Sequence, residues 1–410
     1  MLTEKTKKIL LIAAFVASVI GIGIALYFLF FRPVSQITIV PGEGEEPSII
    51  IGADGLPISG SGQPTTGTTT TTPSVLPEAS EIAAGGITKT IVLTTSSVES
   101  VTVSQNGDGM NYYDPRDSRF YSIDADGAVI KLSNKQFPDV DNVAWNSDSS
   151  KAVIEFPDGS NVVYDFTAET QVTLPKHWED FEFSPTQDEI VAKSIGVDPN
   201  NRALVISKSD GSQVQSVQAL GENADKVQIN PSPSDQIIAF ANTADSMGFG
   251  RTTILPVGKN QENFKGLVVE GLGFDSLWNP RGDIILYSVY GDTSDYKPLL
   301  WVVDGTVNSL GDDRRSLSLN TWVDKCVFAS SSVAYCAVPQ EMASNAGMQR
   351  SAYEMSSDDL YKIDLSNNRS TLVARPEIST PMTNLQVSDD GAYVFYTNNM
   401  NGRLEMIRLK

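Results

Sequence analysis

Five aspartates recur at a fixed place in this 410-residue chain: Asp141, Asp180, Asp225, Asp275 and Asp324 each stand four or five residues ahead of the same kind of turn. Residues in phase with a structural repeat share one face of the fold, so these side chains should gather there. A ring of carboxylates can hold Ca²⁺ or grip a basic peptide, because hard cations take oxygen ligands. The plainer role is structural: each Asp accepts backbone N–H groups and locks one repeat unit to the next. A structural Ca²⁺ would show itself as a melting temperature lowered by a chelator, and no other cofactor is expected.

Catalytic sets are mostly excluded by absence. The sequence has no Gly-x-Ser-x-Gly elbow, no Gly-Lys-Ser/Thr phosphate loop and a single histidine, His177, beside Trp178. One histidine without a partner is no triad and no metal site, and its expected role is at the surface or in packing. Long connections offer different material. The segments SIGVDPNNR, TADSMGFG and VYGDTSDYK exceed ordinary turn length, and the longest connection runs from Gln340 to Ser357. Met342, Met348, Arg350, Tyr353 and Met355 lie in the longest, and Tyr290 and Tyr296 in the third. Polarizable Met, aromatic rings and Arg are the residues recognition surfaces use. Equally, the longest loop could simply fold over and cover the end of its own unit.

What positions these residues is a repeat. An apolar stretch, a Ser/Asn-rich turn and a second apolar stretch recur as VAWNSDSSKAVIEF, FEFSPTQDEIVAKS, VQINPSPSDQIIAFAN, SLWNPRGDIILYSV, CVFASSSVAYCAV and LQVSDDGAYVFYTN, with a weaker copy at Asn111. Each hairpin is followed by further strands, as in NVVYDF then QVTLP. A unit that cannot bury both faces alone needs neighbours, so the pattern predicts an all-β propeller of four-stranded blades, seven by count, with six or eight as alternatives. The final copy is one strand short, and KTIVLTT from Lys89 precedes the first copy unpaired. That strand is expected to complete the last blade and close the ring.

Ahead of the propeller, assigned to residues 87–410, lie three shorter regions. Residues 9–31 are twenty-three residues without a charge, enough at about 1.5 Å each to cross a hydrocarbon core of about 30 Å. Bulky residues follow where a cleavage site needs small ones, so an uncleaved transmembrane helix is expected rather than a signal peptide. Lys5, Lys7 and Lys8 in residues 1–8 predict a cytoplasmic N-terminus and a propeller displayed on the other side of the cell membrane. Residues 32–86 are rich in Gly, Pro, Ser and Thr and read as a flexible tether. Residues 33–410 carry 26 basic and 49 acidic side chains, a net charge of −23. So acidic a domain is a poor partner for nucleic acid or a bare anionic lipid surface, whereas cations and basic partners suit it. The two cysteines, Cys326 and Cys336, fall on the two strands of one expected hairpin, CVFASSSVAYC, and a turn centred on Ser331 sets them opposite each other. A Cys326–Cys336 disulfide is therefore predicted.

The hairpin turns resemble the repeat of TolB-type propellers, in which Ser-Pro-Asp-Gly separates the two inner strands. Ser184-Pro185, Asn230-Pro231, Asn279-Pro280-Arg281-Gly282 and Ser388-Asp389-Asp390-Gly391 carry the likeness, and no copy has the full motif. The resemblance implies the fold and nothing of activity, since these residues only shape turns. Two functions follow from the whole reading. The first is a membrane-tethered, extracytoplasmic module that binds a protein or peptide of the cell envelope. The alternative is an envelope polysaccharide hydrolase or lyase using two carboxylates from different blades, which requires about 5 to 9.5 Å between them.

Overall fold

The computed structural model describes residues 78–244, 247, 248 and 250–410. The apolar run 9–31 and the tether up to residue 77 lie outside them. Among the described residues, no helix is long and apolar enough to cross a membrane.

Strands alternate along the described chain with turns and short 3₁₀ segments, and they assemble into seven sheets. Blade 1 spans 99–131, blade 2 142–174, blade 3 178–219, blade 4 227–269, blade 5 272–316 and blade 6 326–376. Blade 7 takes three strands from 382–408 and its fourth, Ile91–Val92, from the other end of the chain, antiparallel to Arg403–Arg408. The ring therefore closes as the unpaired KTIVLTT strand requires. Just before it, Gly86–Thr88 pairs in parallel with Ala374–Pro376 and gives blade 6 a fifth strand. Contacts with these strands begin earlier still: Ser80 N–H donates to the Ile87 carbonyl and Ala83 N–H to the Arg408 carbonyl of blade 7.

Period-two alternation does the packing. In the second strand of blade 2, Ala152 and Ile154 face blade 1 while Val153 faces blade 3. Repeated around the ring, this yields seven apolar clusters among the described residues, one at each interface between neighbouring blades. No blade has a core of its own, which is why the repeat is stable only as a closed ring. The innermost strands touch one another around the centre, and side chains of the repeat tie them. Trp145 Nε1 donates to the Ser100 carbonyl of blade 1 at 2.7 Å, and Trp278 Nε1 to the Asn230 carbonyl of blade 4 at 3.2 Å.

The Ser or Asn that opens each hairpin turn accepts backbone N–H groups from the far side: Ser184 from Thr186 and Gln187, Asn279 from Asp283 and Ile284, Ser388 from Ala392 and Tyr393. In blade 4 this residue is Ser232, which receives Gln236 and Ile237. Asn230, the residue expected there, instead donates to Ser276 of blade 5. The turn is thus Ser232-Pro233, two residues beyond Asn230-Pro231. Cys326 and Cys336 are register partners and form a disulfide within the cluster between blades 5 and 6.

Candidate functional site

An antiparallel blade whose inner strand starts on one face sends its second-to-third connections back to that same face. Four neighbouring blades, 3 to 6, carry long connections there, at 195–202, 242–251, 291–298 and 340–357. Blades 1, 2 and 7 turn at 115–118, 156–160 and 399–402 within four or five residues. The loops therefore stand to one side of the central opening, on what is called below the loop face.

All five in-phase aspartates lie toward the loop face, in local settings that differ because the inner strands do. Those of blades 1, 3, 5 and 7 are bulged near their start, with Ser100, Asp180, Gly273 and Asn384 at φ of 53°, 55°, 64° and 51°. Asp180 thus sits on a bulge, in a left-handed conformation that Asp tolerates, and Asp275 follows one. Asp225 and Asp324 instead belong to 3₁₀ turns that lead into blades 4 and 6, and Asp141 directly precedes blade 2. Their partners differ accordingly. Asp180 pairs with Lys193 at 2.6 Å. Asp275 accepts its neighbour Ser276 N–H and the Gln228 side chain of blade 4. Asp324 binds the guanidinium of Arg350. The exposed Asp141 and Asp225 carboxylates make no hydrogen bond or ion pair with the described residues. Among the described residues, no three His, Cys, Asp or Glu side chains converge closely enough to hold a metal ion.

Arg350 brings the two sets of candidates together, since it belongs to the longest loop. Its guanidinium lies 5.5 Å from the centroid of Trp322, and Tyr353 packs on the same indole at 6.0 Å. The loop is folded and seated. Asn345 and Gly347 donate to the carbonyls of Asp295 and Tyr296 in the neighbouring loop, and Asn399 of blade 7 donates to Glu354. Tyr290 fills the space left by two glycines: a Cβ on Gly273 or Gly347 would meet its ring at 2.3 or 2.4 Å. Met342 is half-buried; Met348 and Met355 stay 54% and 62% exposed. Tyr290 and Tyr296, both half-buried, act as the platform under the loop. His177 stays exposed, its carbonyl receiving Ile195 N–H.

The turn bearing Asp324 is fixed from several sides. Val323 N–H donates to Ser288 Oγ of blade 5, and Lys325 Nζ reaches Asp358 Oδ2 at 2.6 Å. That oxygen also accepts Met382 N–H of blade 7 at 2.8 Å, while Asp358 Oδ1 is buried without a partner. Burial pushes the Asp358 carboxyl up, against the pull of Lys325. Val323 and Lys325 are buried, and Asp324 between them points outward beside Trp322. Trp322, Lys325 and Asp358 were missed by the sequence reading. A usable signal existed for the first: Trp-x-Asp occurs at both Trp178-Glu179-Asp180 and Trp322-Val323-Asp324.

Two clefts of 420 Å³ each open along the inner strands. One is lined by Asp275, Asp324, Asn384 and Gln386, the other by Asn142, Asp180, Glu182, Lys193, Asp225 and Gln228. Asp275 is raised above the usual carboxylate range by burial, helped by the charge of Asp324. Across the opening, Glu182 has an exposed tip yet protein on nearly every side, and this desolvation, with Glu155 and Asp180 adding repulsion, pushes it up to about 7. Glu155, bonded to Asn142, is raised for the same reasons. A larger cleft of 720 Å³ runs between the outer strands of blades 3 and 4 and reaches the loop face at Thr243, and among its lining residues only Glu262 ionises.

No family model matches the chain, and no curated protein matches its sequence. Solved structures match its shape. An oligogalacturonate lyase in complex with manganese is 13% identical at a TM-score of 0.52, over 78% of this chain and 90% of that one. The oligogalacturonate lyase of Vibrio parahaemolyticus is 10% identical at 0.55, over 78% and 93%. The β-propeller domain of Myceliophteria thermophila Cps50 (Swd1) is 10% identical at 0.50, over 78% and 100%. At such identities the likeness shows the seven-bladed propeller fold alone. Propellers host enzymes and binding modules alike.

Proposed function

We propose that this chain is a membrane-tethered, extracytoplasmic binding module that engages a protein or peptide of the cell envelope through the loop face. The observation that carries this is the gathering on one face of long loops from four neighbouring blades, with Val197, Met247, Leu272, Met348, Met355 and Met400 left exposed there. Flexible, polarizable side chains projecting from seated loops suit adaptable protein contacts. The tether and the span at residues 9–31 are part of this proposal and rest on the sequence. The test is a pull-down from solubilised envelope with the full chain and a variant whose residues 340–357 are replaced by a short Gly/Ser turn. A specific protein retained by the native chain and lost by the variant supports the reading; equal recovery by both overturns it.

A second reading has a specific observation behind it. Glu182, raised to about 7 beside the Glu155 and Asp180 carboxylates, has the properties of an acid or base for polysaccharide cleavage. The chain shares its fold with two oligogalacturonate lyases. Charge argues against a polyuronate substrate, because the mouth holds several carboxylates and the chain carries −20, so a polyanion would be repelled. Turnover of a neutral envelope glycan abolished by Glu182→Gln would establish this reading in place of the first.

A further inference from the structure

We propose that Trp322, Asp324 and Asp275 form a subsite for a cationic side chain of the partner, and that Arg350 is a resident stand-in for that group. This rests on the binding reading above and names the chemistry the mouth recognises. A guanidinium above an indole face and against a carboxylate is the arrangement in which proteins bind arginine and alkylammonium groups.

The subsite exists without its occupant. The Trp322–Lys325 turn is fixed by Ser288, by the buried Lys325–Asp358 pair and by the disulfide at Cys326, none of which involves Arg350. Arg350 and Asp324 remain 47% and 40% exposed, and an ion pair so open to water contributes little to holding the loop. The loop's seat is elsewhere, at Tyr290, Asp295 and Tyr296, so the arginine side chain can swing away while the loop stays. The charges do not balance with Arg350 in place. Asp275 lines the same cleft as Asp324, and its own partners are an amide side chain and a backbone N–H. Two carboxylates thus face one half-exposed guanidinium, in a mouth whose other cleft holds Lys193, itself tied to Asp180. With Arg350 swung away, both carboxylates and the indole face are left to a cation of the partner.

Acetylated tetra-arginine amide is the probe, titrated calorimetrically into the full chain at low and moderate salt, with tetra-glutamate as the negative comparator. Arg350→Ala should bind it about fivefold more tightly, because the subsite no longer has to be vacated. Asp324→Asn placed on that background should weaken binding about tenfold, the scale expected for losing one partner of a close charge pair. Asp188→Asn, which removes an exposed carboxylate on the opposite face, should leave it unchanged and so separates the subsite from general attraction to an acidic protein. Melting curves for each variant confirm folding. The proposal is overturned if Arg350→Ala binds no more tightly, or if Asp188→Asn weakens binding as much as Asp324→Asn. A peptide that fails to bind while an envelope protein is still captured refutes the cationic subsite alone; binding of the peptide with no protein captured refutes the protein-binding reading alone.

Discussion

Replacing Lys325 with methionine tests how the turn under Asp324 is held. Lys325 and Asp358 have side chains 6% and 0% exposed and meet at 2.6 Å. The methionine fills the volume but leaves a carboxylate whose only other donor is Met382 N–H, with Oδ1 already unpartnered. Removing one member of a buried pair costs about 3–5 kcal/mol. For a domain of this size that lowers the melting temperature by about 5 °C at neutral pH. The loss has a defined pH dependence. Burial already raises Asp358, and without Lys325 it rises further, so the native state takes up a proton that the unfolded chain releases. The penalty is absent below the unfolded carboxylate pKa of about 3.9 and grows as pH rises toward the native value. Lys325→Met paired with Asp358→Leu removes both charges and should recover to within about 1 kcal/mol of the native protein. Thermal and urea unfolding of the four proteins at pH 4 and pH 7.5 provides the double-mutant cycle. A single-variant loss under about 1 kcal/mol at pH 7.5, or a double variant as unstable as the single, would refute the reasoning.

The Cys326–Cys336 bridge closes a separation of ten residues, and its loss in Cys326→Ala/Cys336→Ala should cost about 2–3 kcal/mol by the loop-entropy relation, read as a lowered urea midpoint. Both cysteines are buried, so intact-mass measurement should find no alkylation until the protein is denatured and reduced. Glu182, raised to about 7, destabilises the native state progressively as pH climbs from about 4.3 to 7, because the unfolded chain ionises first; Glu182→Gln should match the native melting temperature near pH 4 and exceed it by about 1 kcal/mol equivalent at pH 8, a figure discounted for its open tip. Deleting residues 78–92 removes the strands at 86–88 and 91–92 and leaves blade 7 with three strands, so melting should become broader and shift downward; a sharp transition at the native temperature would show that the ring closes without them.

The blades were legible because each hairpin repeats the same alternation, and an unpaired strand before the first copy with a last copy one strand short announced the closure. The disulfide was legible because Cys326 and Cys336 share a hairpin whose turn sets their register. Local ambiguity hid the blade 4 turn: NPSPS offers two prolines, and only the alignment of Ser232 with the Gln236 and Ile237 N–H groups selects the second. Bulges hid more. In WEDFEF strict alternation puts Trp178, Asp180 and Glu182 on one face, but the bulge at Asp180 resets the count, so Trp178, Phe181 and Phe183 are buried and Glu182 faces the opening. Lys325 reads as a polar residue leading into an apolar strand, since its partner Asp358 lies 33 residues away in sequence. Arg350 was legible as loop material, and its seat on Asp324 and Trp322 was not, because contacts between a loop and the blade entrance leave no periodic trace.

The binding reading stands most directly on where a partner touches the ring. A photo-crosslinking residue placed in living cells at Met348, at Met355, or at Val214, which is 55% exposed on the opposite face, measures this. The same discrete protein adduct from positions 348 and 355, absent from 214, is the expected result. An adduct from 214 with none from the loop face would contradict it.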